Sequence, residues 1–395
     1  MEQNKKYEER LTANEINFVK YDEKEAQLDY RERRKRYYES LKKDMLELES
    51  LDKELSDDSN MTDNSTWNFN NYNSVAASIL GFIVGDALGV PVEFTSRAQR
   101  KTNPVTTMEG FGTHNMPKGT WSDDSSMVLA TIASINECQG IDYKNIMDKY
   151  MEWYKNSDYT ATNTLFDIGN TTARALMNYE SGKKPTNCGL KTRDSNGNGS
   201  LMRMLPVSLY MMYEDYDEKK EVETVYYYSS LTHGHDISLM GCKLYSDILK
   251  ELISKKNMKN AIEAIKTKDY NEFYYEPYQY NKILSGRILD MDEENIKSTG
   301  YVVDTLEAAV WCVLNTDNFK DAVLKAVNLG GDTDTIAAIT GSMAGVLYGL
   351  ESIPDEWINS LQNKELVFKS IEDFTKTLNN KEQNKSNEQN EEKKR

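Results

Sequence analysis

Two short acidic stretches far apart in the chain, Ser122-Asp123-Asp124-Ser125 and Gly330-Gly331-Asp332-Thr333-Asp334-Thr335, carry side chains that could do chemistry together. In the second, two glycines permit a tight turn and a close backbone approach to a ligand, and carboxylates two residues apart follow, with a hydroxyl directly after. An Asp at such a place can be an ordinary helix cap. A cap uses one carboxylate, however, and Asp332 and Asp334 held together repel unless a positive charge lies between them. In the first stretch a hydroxyl and two adjacent acids again precede a helical pattern; alone, it would be a solvated loop. Together the two supply four carboxylates and the hydroxyls of Ser122 and Thr335, with no sulfur and no imidazole. That donor set suits Mg²⁺, Mn²⁺ or Ca²⁺ rather than zinc or copper, and its size suits a pair of ions.

Two further stretches add to this chemistry. The run from Gly81 to Glu93 sets Gly and Ala on a helix that ends near Pro91, a pattern of close helix contacts, and leaves Glu93 as an acid in an otherwise apolar run. Arg193-Asp194-Ser195-Asn196-Gly197-Asn198-Gly199 feeds an apolar segment at Leu201, a glycine-rich helix entry that would aim backbone N–H groups at an anion such as a diphosphate. A plain surface turn accounts for the same residues. Without the lysine of a Walker loop, the stretch does not point to nucleoside triphosphate hydrolysis.

These residues need a scaffold, and from Ser74 to about Thr377 apolar residues recur at three-to-four spacing between short Gly, Asn and Asp loops. The spacing predicts helices over 74–88, 125–137, 143–155, 163–177, 201–212, 221–231, 237–253, 260–266, 302–314, 319–329 and 335–348. No stretch alternates as a strand, so the expected fold is all-α. Residues 1–72 form a charged extension, helical or disordered, that ends in the Ser-, Asp- and Asn-rich linker 56–72. Leu41, Met45, Leu48 and Leu55 fall at heptad-like steps there, and the basic run 31–36, flanked by acids, is a solvated helix face or, alternatively, a nuclear address or a polyanion contact. The catalytic body is expected over 73–378 and a disordered charged tail over 379–395.

Composition narrows the class. A net charge of -16 and a sequence pI near 4.9 disfavour polyanion binding through bulk charge, so nucleic acid is not an expected partner. Cys138, Cys188, Cys242 and Cys312 are scattered with no C-x-x-C pair, which fits neither a disulfide framework nor a thiolate zinc site and points to reduced thiols in a cytoplasmic or nuclear setting. The polar start is unlike a signal peptide, and the run 336–350 is too short to span a bilayer, so no membrane association is expected.

In chain order, Gly85-Asp86-Ala87-Leu88-Gly89 with Glu93, Trp121-Ser122-Asp123-Asp124, Phe166-Asp167-Ile168-Gly169, Gly197-Asn198-Gly199-Ser200-Leu201-Met202-Arg203, Thr232-His233 and Gly331-Asp332-Thr333-Asp334-Thr335 resemble the successive motifs of the ADP-ribosylglycohydrolase family. The resemblance implies an orthogonal multi-helix bundle with a binuclear Mg²⁺ or Mn²⁺ centre in a cleft. It implies Ser122, Asp123, Asp124, Asp332, Asp334 and Thr335 as metal ligands, with Asp123 also at the substrate. Glu93 would touch the metal or act as base, and Asp167 would serve acid/base work. The loop from Arg193 through Asp194, Ser195, Asn196, Gly197 and Asn198 to Gly199 would hold the diphosphate and ribose, with His233 beside the substrate; a buried structural histidine is the other reading. Ser122 and Ser125 stand where the family usually has threonine, which keeps the donor oxygen and loses a methyl.

The activity so implied is hydrolysis of the glycosidic bond between ADP-ribose and a modified acceptor, in a protein or another ADP-ribosyl conjugate. Such a bond breaks through an oxocarbenium-like state, with metals fixing ribose hydroxyls or the attacking water and Glu93 or Asp167 handling the proton. Two rivals stand beside it. A catalytically silent, ADP-ribose-binding or crystallin-like relative would have lost carboxylates that this sequence keeps, and a two-metal nucleotide phosphohydrolase would use the same donors. The extension 1–72 lies outside the resemblance and is expected to bind a partner or to self-associate.

Overall fold

The computed structural model describes residues 73–214, 216–270 and 276–392, so the expected extension and linker at 1–72 lie outside the described residues. The helices are α1 (Asn73–Gly89), α2 (Arg97–Thr102), α3 (Asp123–Cys138), α4 (Tyr143–Asn156), α5 (Asn170–Glu180), α6 (Leu205–Glu214), α7 (Glu218–Ser229), α8 (Asp236–Lys255), α9 (Met258–Ile265), α10 (Asn281–Leu284), α11 (Val302–Leu314), α12 (Phe319–Asn328), α13 (Thr333–Tyr348), α14 (Asp355–Ser360) and α15 (Lys364–Glu392). Among the described residues, strand-like pairing is limited to isolated bridges such as Phe111 with Met116 and Gly197 with Tyr301, and the fold is all-α.

At the centre α1 lies along α13, and small residues set how closely they approach. A Cβ on Gly81 would stand 2.4 Å from Gly341 O, one on Gly85 2.1 Å from Ala337 O, and one on Gly89 2.3 Å from Asp334 Cα, so backbone meets backbone along the whole crossing. α3, α8, α11 and α12 surround this pair. The stretch Ser74–Val92 has the length and mean hydropathy (1.9) of a membrane span, which the expectation built on 336–350 overlooked, but the apolar window is entirely buried inside the fold. It is the core helix around which the others pack.

Asp and Asn caps start many of the outer helices: Asp142 accepts from the N–H of Lys144 and Asn145, Asp217 from Lys220, and Asn318 from Asp321. Three expectations shift. The helix predicted from residue 163 begins at Asn170, because Asn163 and Asp167 take left-handed φ values of 54° and 62° that no helix accommodates. The helix predicted from 201 begins at Leu205 after a tight turn, with Pro206 in its first turn. The tail expected to be disordered continues α15 through Glu392: Val367, Ile371, Phe374 and Leu378 bury one face, and the residues beyond lack Pro and Gly and are mostly good helix formers.

Candidate active site

Asp86, on α1, ties the first acidic stretch to the core. Its Oδ1 accepts from the N–H of Ser122 at 2.9 Å, and its Oδ2 from the N–H of Ser125 at 3.0 Å and from Ser125 Oγ at 2.6 Å. Burial raises the Asp86 carboxyl to about 6 against the pull of these donors. Ser122 caps α3, its Oγ accepting from the N–H of Asp124 at 3.2 Å. Asp123 and Asp124 therefore leave the first turn of α3 inside the protein, both buried. Asp86 was visible in a motif, but its role as the clamp on this turn was not assigned from sequence.

Asp332 stands at the N-cap position of α13 and does not cap it. Its Oδ2 accepts from Asn198 Nδ2 at 2.9 Å, while its Oδ1 is buried with no hydrogen-bond partner. Asp334 Oδ1 accepts from the N–H of Thr335 at 2.9 Å. The turn before α13 is fixed from two sides. The N–H of Gly331 donates to Thr95 O, and its carbonyl accepts from the N–H of Phe94, each at 2.7 Å. Gly331, at φ 79°, could not carry a Cβ, which would lie 1.9 Å from Ser298 O. Arg97 completes the frame with Nε on Leu329 O (3.1 Å), Nη1 on Glu293 O (2.8 Å) and Nη2 on Ile296 O (2.7 Å). Nothing in its sequence context distinguishes Arg97 from a surface residue.

These supports bring the sequence-predicted acids together. Donor oxygens of Glu93, Asp332 and Asp334 lie within 4.8 Å of one another, and a second group of the same size joins Glu93 to Asp167 and His114. Burial, then the Asp167 and Asp332 charges, pushes Glu93 up to about 12. Burial first and Asp332 next raise Asp167 to about 7. Asp123, Asp124 and Asp334 are held well above the usual carboxylate range by burial and by the acids around them, and a hydrogen bond with Thr335 works the other way on Asp124. Among the described residues, the ion pairs of this group run to His114 alone, with no lysine or arginine.

A cation fits that arrangement. Asp124 Oδ2, like Asp332 Oδ1, is buried without a partner, a state that costs more than about 1 kcal/mol per oxygen unless something takes the lone pairs. All proposed donors are oxygens, the preference of Mg²⁺ and Mn²⁺.

The glycine-rich loop is placed differently from expectation. It does not run into a helix N-terminus; the N–H of Ser195 donates to Thr192 O and that of Asn198 to Gly300 O, each at 3.0 Å, welding the loop to the segment before α11. Arg193 is exposed and pairs with Glu276 at 3.3 Å, Asp194 is exposed, and Asn196 is buried and accepts from Ser238 Oγ at 2.9 Å. His233 is buried beneath the loop, with Nδ1 2.8 Å from Thr232 Oγ1, and a Cβ on Gly199 would meet its ring at 2.7 Å. Burial, then Arg203, lowers its imidazole to about 3, so it is neutral.

Residues 70–388 match the family described as ADP-ribosylglycohydrolase. The chain is 32% identical over 294 residues to ADP-ribosylarginine hydrolase Tri1 of Serratia proteamaculans, covering 73% of this chain and 75% of that one. It is 28% identical to the ADP-ribosyl-[dinitrogen reductase] glycohydrolase of Rhodospirillum rubrum, covering 73% and 90%. A solved structure titled ADP-ribosylglycohydrolase-related protein complex superposes with a TM-score of 0.64 at 28% identity, covering 78% of this chain and 98% of that one.

Proposed function

The chain belongs to the ADP-ribosylglycohydrolase family, and from that premise we propose that it is a divalent-cation-dependent hydrolase that releases ADP-ribose from modified protein, with arginine as the acceptor. One observation carries the reading: Glu93, Asp332 and Asp334 hold donor oxygens within 4.8 Å of one another, and Asp123 and Asp124 lie close enough for their charges to act on Asp332 and on each other, with no lysine or arginine paired to any of them among the described residues. Ser122 and Thr335 complete the donor set. When bound, Mg²⁺ or Mn²⁺ would supply charge neutralisation and Lewis acidity toward a water or a ribose hydroxyl.

The chain's own residues supply the rest. Water adds to the anomeric carbon as the carbon–nitrogen bond breaks, and the guanidine leaves with a proton, so one group must take a proton and one must give it. Glu93 and Asp167, whose carboxyl oxygens lie within 4.8 Å of each other and which burial and neighbouring acids both hold above the usual carboxylate range, are assigned as that pair. Asp167 is brought to the cleft by the left-handed turn at its own position. Asn198 orients Asp332 through its amide. Arginine is taken as the acceptor because the chain resembles an ADP-ribosylarginine hydrolase at 32% identity over 75% of that relative's length. Incubation with an arginine-ADP-ribosylated peptide, a serine-ADP-ribosylated peptide and a simple phosphate ester tests this. Free ADP-ribose should appear from the first, stop on chelation and return with Mg²⁺ or Mn²⁺; no release with either cation present overturns it.

A further inference from the structure

We propose that His114 is a positioning residue of this reaction, holding the Glu93 carboxylate in register with Asp332 and Asp334 on one side and with Asp167 on the other. The inference rests on the reading of Glu93 and Asp167 as the acid/base pair. His114 Nε2 hydrogen-bonds Glu93 Oε2 and lies 3.8 Å from Asp167 Oδ1, with both His114 and Glu93 only 4% exposed. It is thus the one basic side chain among the described residues that reaches both acids.

The loop that carries it is built onto the Glu93 turn. The N–H of Thr113 donates to Pro91 O at 2.8 Å, and Thr113 Oγ1 donates to Glu93 O at 2.7 Å. Gly112, at φ 64°, lies so close that a Cβ would stand 1.9 Å from Pro91 O. His114 therefore cannot drift relative to Glu93 without breaking the turn that positions both.

Packing fixes the ring as firmly as the hydrogen bond. Its centroid lies 6.0 Å from that of Phe94 and 5.2 Å from that of Phe166. Phe94 directly follows Glu93, and Phe166 directly precedes Asp167, so the sequence neighbours of the two acids flank the imidazole that lies between them. Phe94 and Asp167 both adopt left-handed φ, at 61° and 62°, a conformation that survives only where surrounding contacts enforce it. A glutamate side chain otherwise keeps several rotamers, and a hydrogen bond to one oxygen removes most of that freedom while leaving the second oxygen for other partners. Residues that orient a metal-site carboxylate in this way typically govern activity by about 10–100-fold.

The test is steady-state kinetics on an ADP-ribosylated arginine peptide with saturating Mg²⁺ or Mn²⁺. His114→Phe keeps an aromatic ring between Phe94 and Phe166 and removes both nitrogens; kcat should fall by about 10–100-fold with KM within about threefold. His114→Gln, whose amide reaches toward the position of Nε2, should recover kcat to within about fivefold of the parent. A purely structural histidine would show the reverse order, with the aromatic variant active and the amide variant impaired. That order, or kcat within about twofold of the parent for His114→Phe, overturns the proposal. If His114→Phe does not fold by circular dichroism, His114→Met fills the gap without a hydrogen-bonding nitrogen, and the same comparison with His114→Gln applies. Glu93→Gln runs beside them. Parent-like turnover of Glu93→Gln refutes the acid/base reading itself, whereas an inactive Glu93→Gln with an active His114→Phe refutes only the positioning role.

Discussion

Glu221 and Asp247, on α7 and α8, are as buried as Asp124 and Asp334 in the cleft, at 6% and 1% exposed against 2% and 2%. Their surroundings are opposite. Lys243, itself 1% exposed, lies 2.5 Å from Asp247 and 3.2 Å from Glu221; Lys250 reaches Glu221 at 2.6 Å and Lys268 reaches Asp247 at 3.3 Å. Tyr270 Oη donates a further hydrogen bond to Asp247. There the chain carries its own counter-charges, and the acids have no reason to recruit a cation from outside. In the cleft the same kind of residue is buried without that provision, and charge balance must come from a bound ion or from retained protons. Burial alone therefore does not separate a structural acid from a functional one; the identity of its neighbours does.

The sharpest way to break the contrast is Asp334→Asn, which removes one charge at nearly constant size. Hydrolysis should fall by more than about 100-fold and most of the rise in melting temperature with added Mg²⁺ or Mn²⁺ should vanish, while the metal-free variant melts no lower than the parent. A variant with full turnover and an intact metal response would remove Asp334 from any metal site. Arg97→Met leaves every acid in place and loosens the carbonyls that frame the Asp332 turn, so about tenfold more metal should be needed for half-maximal activity. An unchanged metal requirement would make Arg97 a surface residue after all. On the other side of the comparison, Lys243→Met should destabilise the fold by about 3 kcal/mol, because it strips a buried pair of one partner, yet leave turnover per folded molecule and the metal response unchanged.

A pH titration of stability sharpens the difference further. Without metal, Asp86 and Asp167 titrate near 6 and 7 rather than at 3.8, so the folded state holds protons that the unfolded state has released. Their contribution is fully present below about pH 4 and is lost as pH rises to the folded values, so the metal-free melting temperature should drop between about pH 4 and 7 and level off above. Saturating metal should flatten that slope, and a metal-free profile that rises over the window would contradict it. The smallest effect is expected from deleting the segment before Asn71, which removes neither region; differential scanning fluorimetry and turnover should match the full chain within about twofold.

The sequence exposed the parts of this fold whose physics is local. α1 and α13 announce themselves by glycine and alanine at four-residue steps, and Asp123-Asp124 and Asp332-x-Asp334 by a concentration of like charge that a cap does not require. What it concealed depends on contacts between distant segments. His114 is a lone histidine in a Gly-Thr-Asn loop until that loop docks on the Glu93 turn, and Arg97 is one more polar residue until its guanidinium meets Leu329, Glu293 and Ile296. Asp167 lies in a stretch with helical spacing, and only the left-handed turn it adopts takes it out of the helix predicted there. α15 outlasts its apolar face because a helix, once nucleated by packing, extends cheaply through residues with good propensity.

The backbone contact between α1 and α13 bears on how the molecule comes into being. Gly81, Gly85 and Gly89 leave the ribosome well before their partners Gly341, Ala337 and Asp334, so the central helix waits through synthesis of the intervening chain without the surface it is shaped to meet. Its apolar stretch is then a natural client for a chaperone, and no nascent chain shorter than α13 can assemble both halves of the cleft. Activity would appear only once α13 has been made, and a chain stopped before it would be inactive and, with its apolar helix uncovered, prone to aggregate.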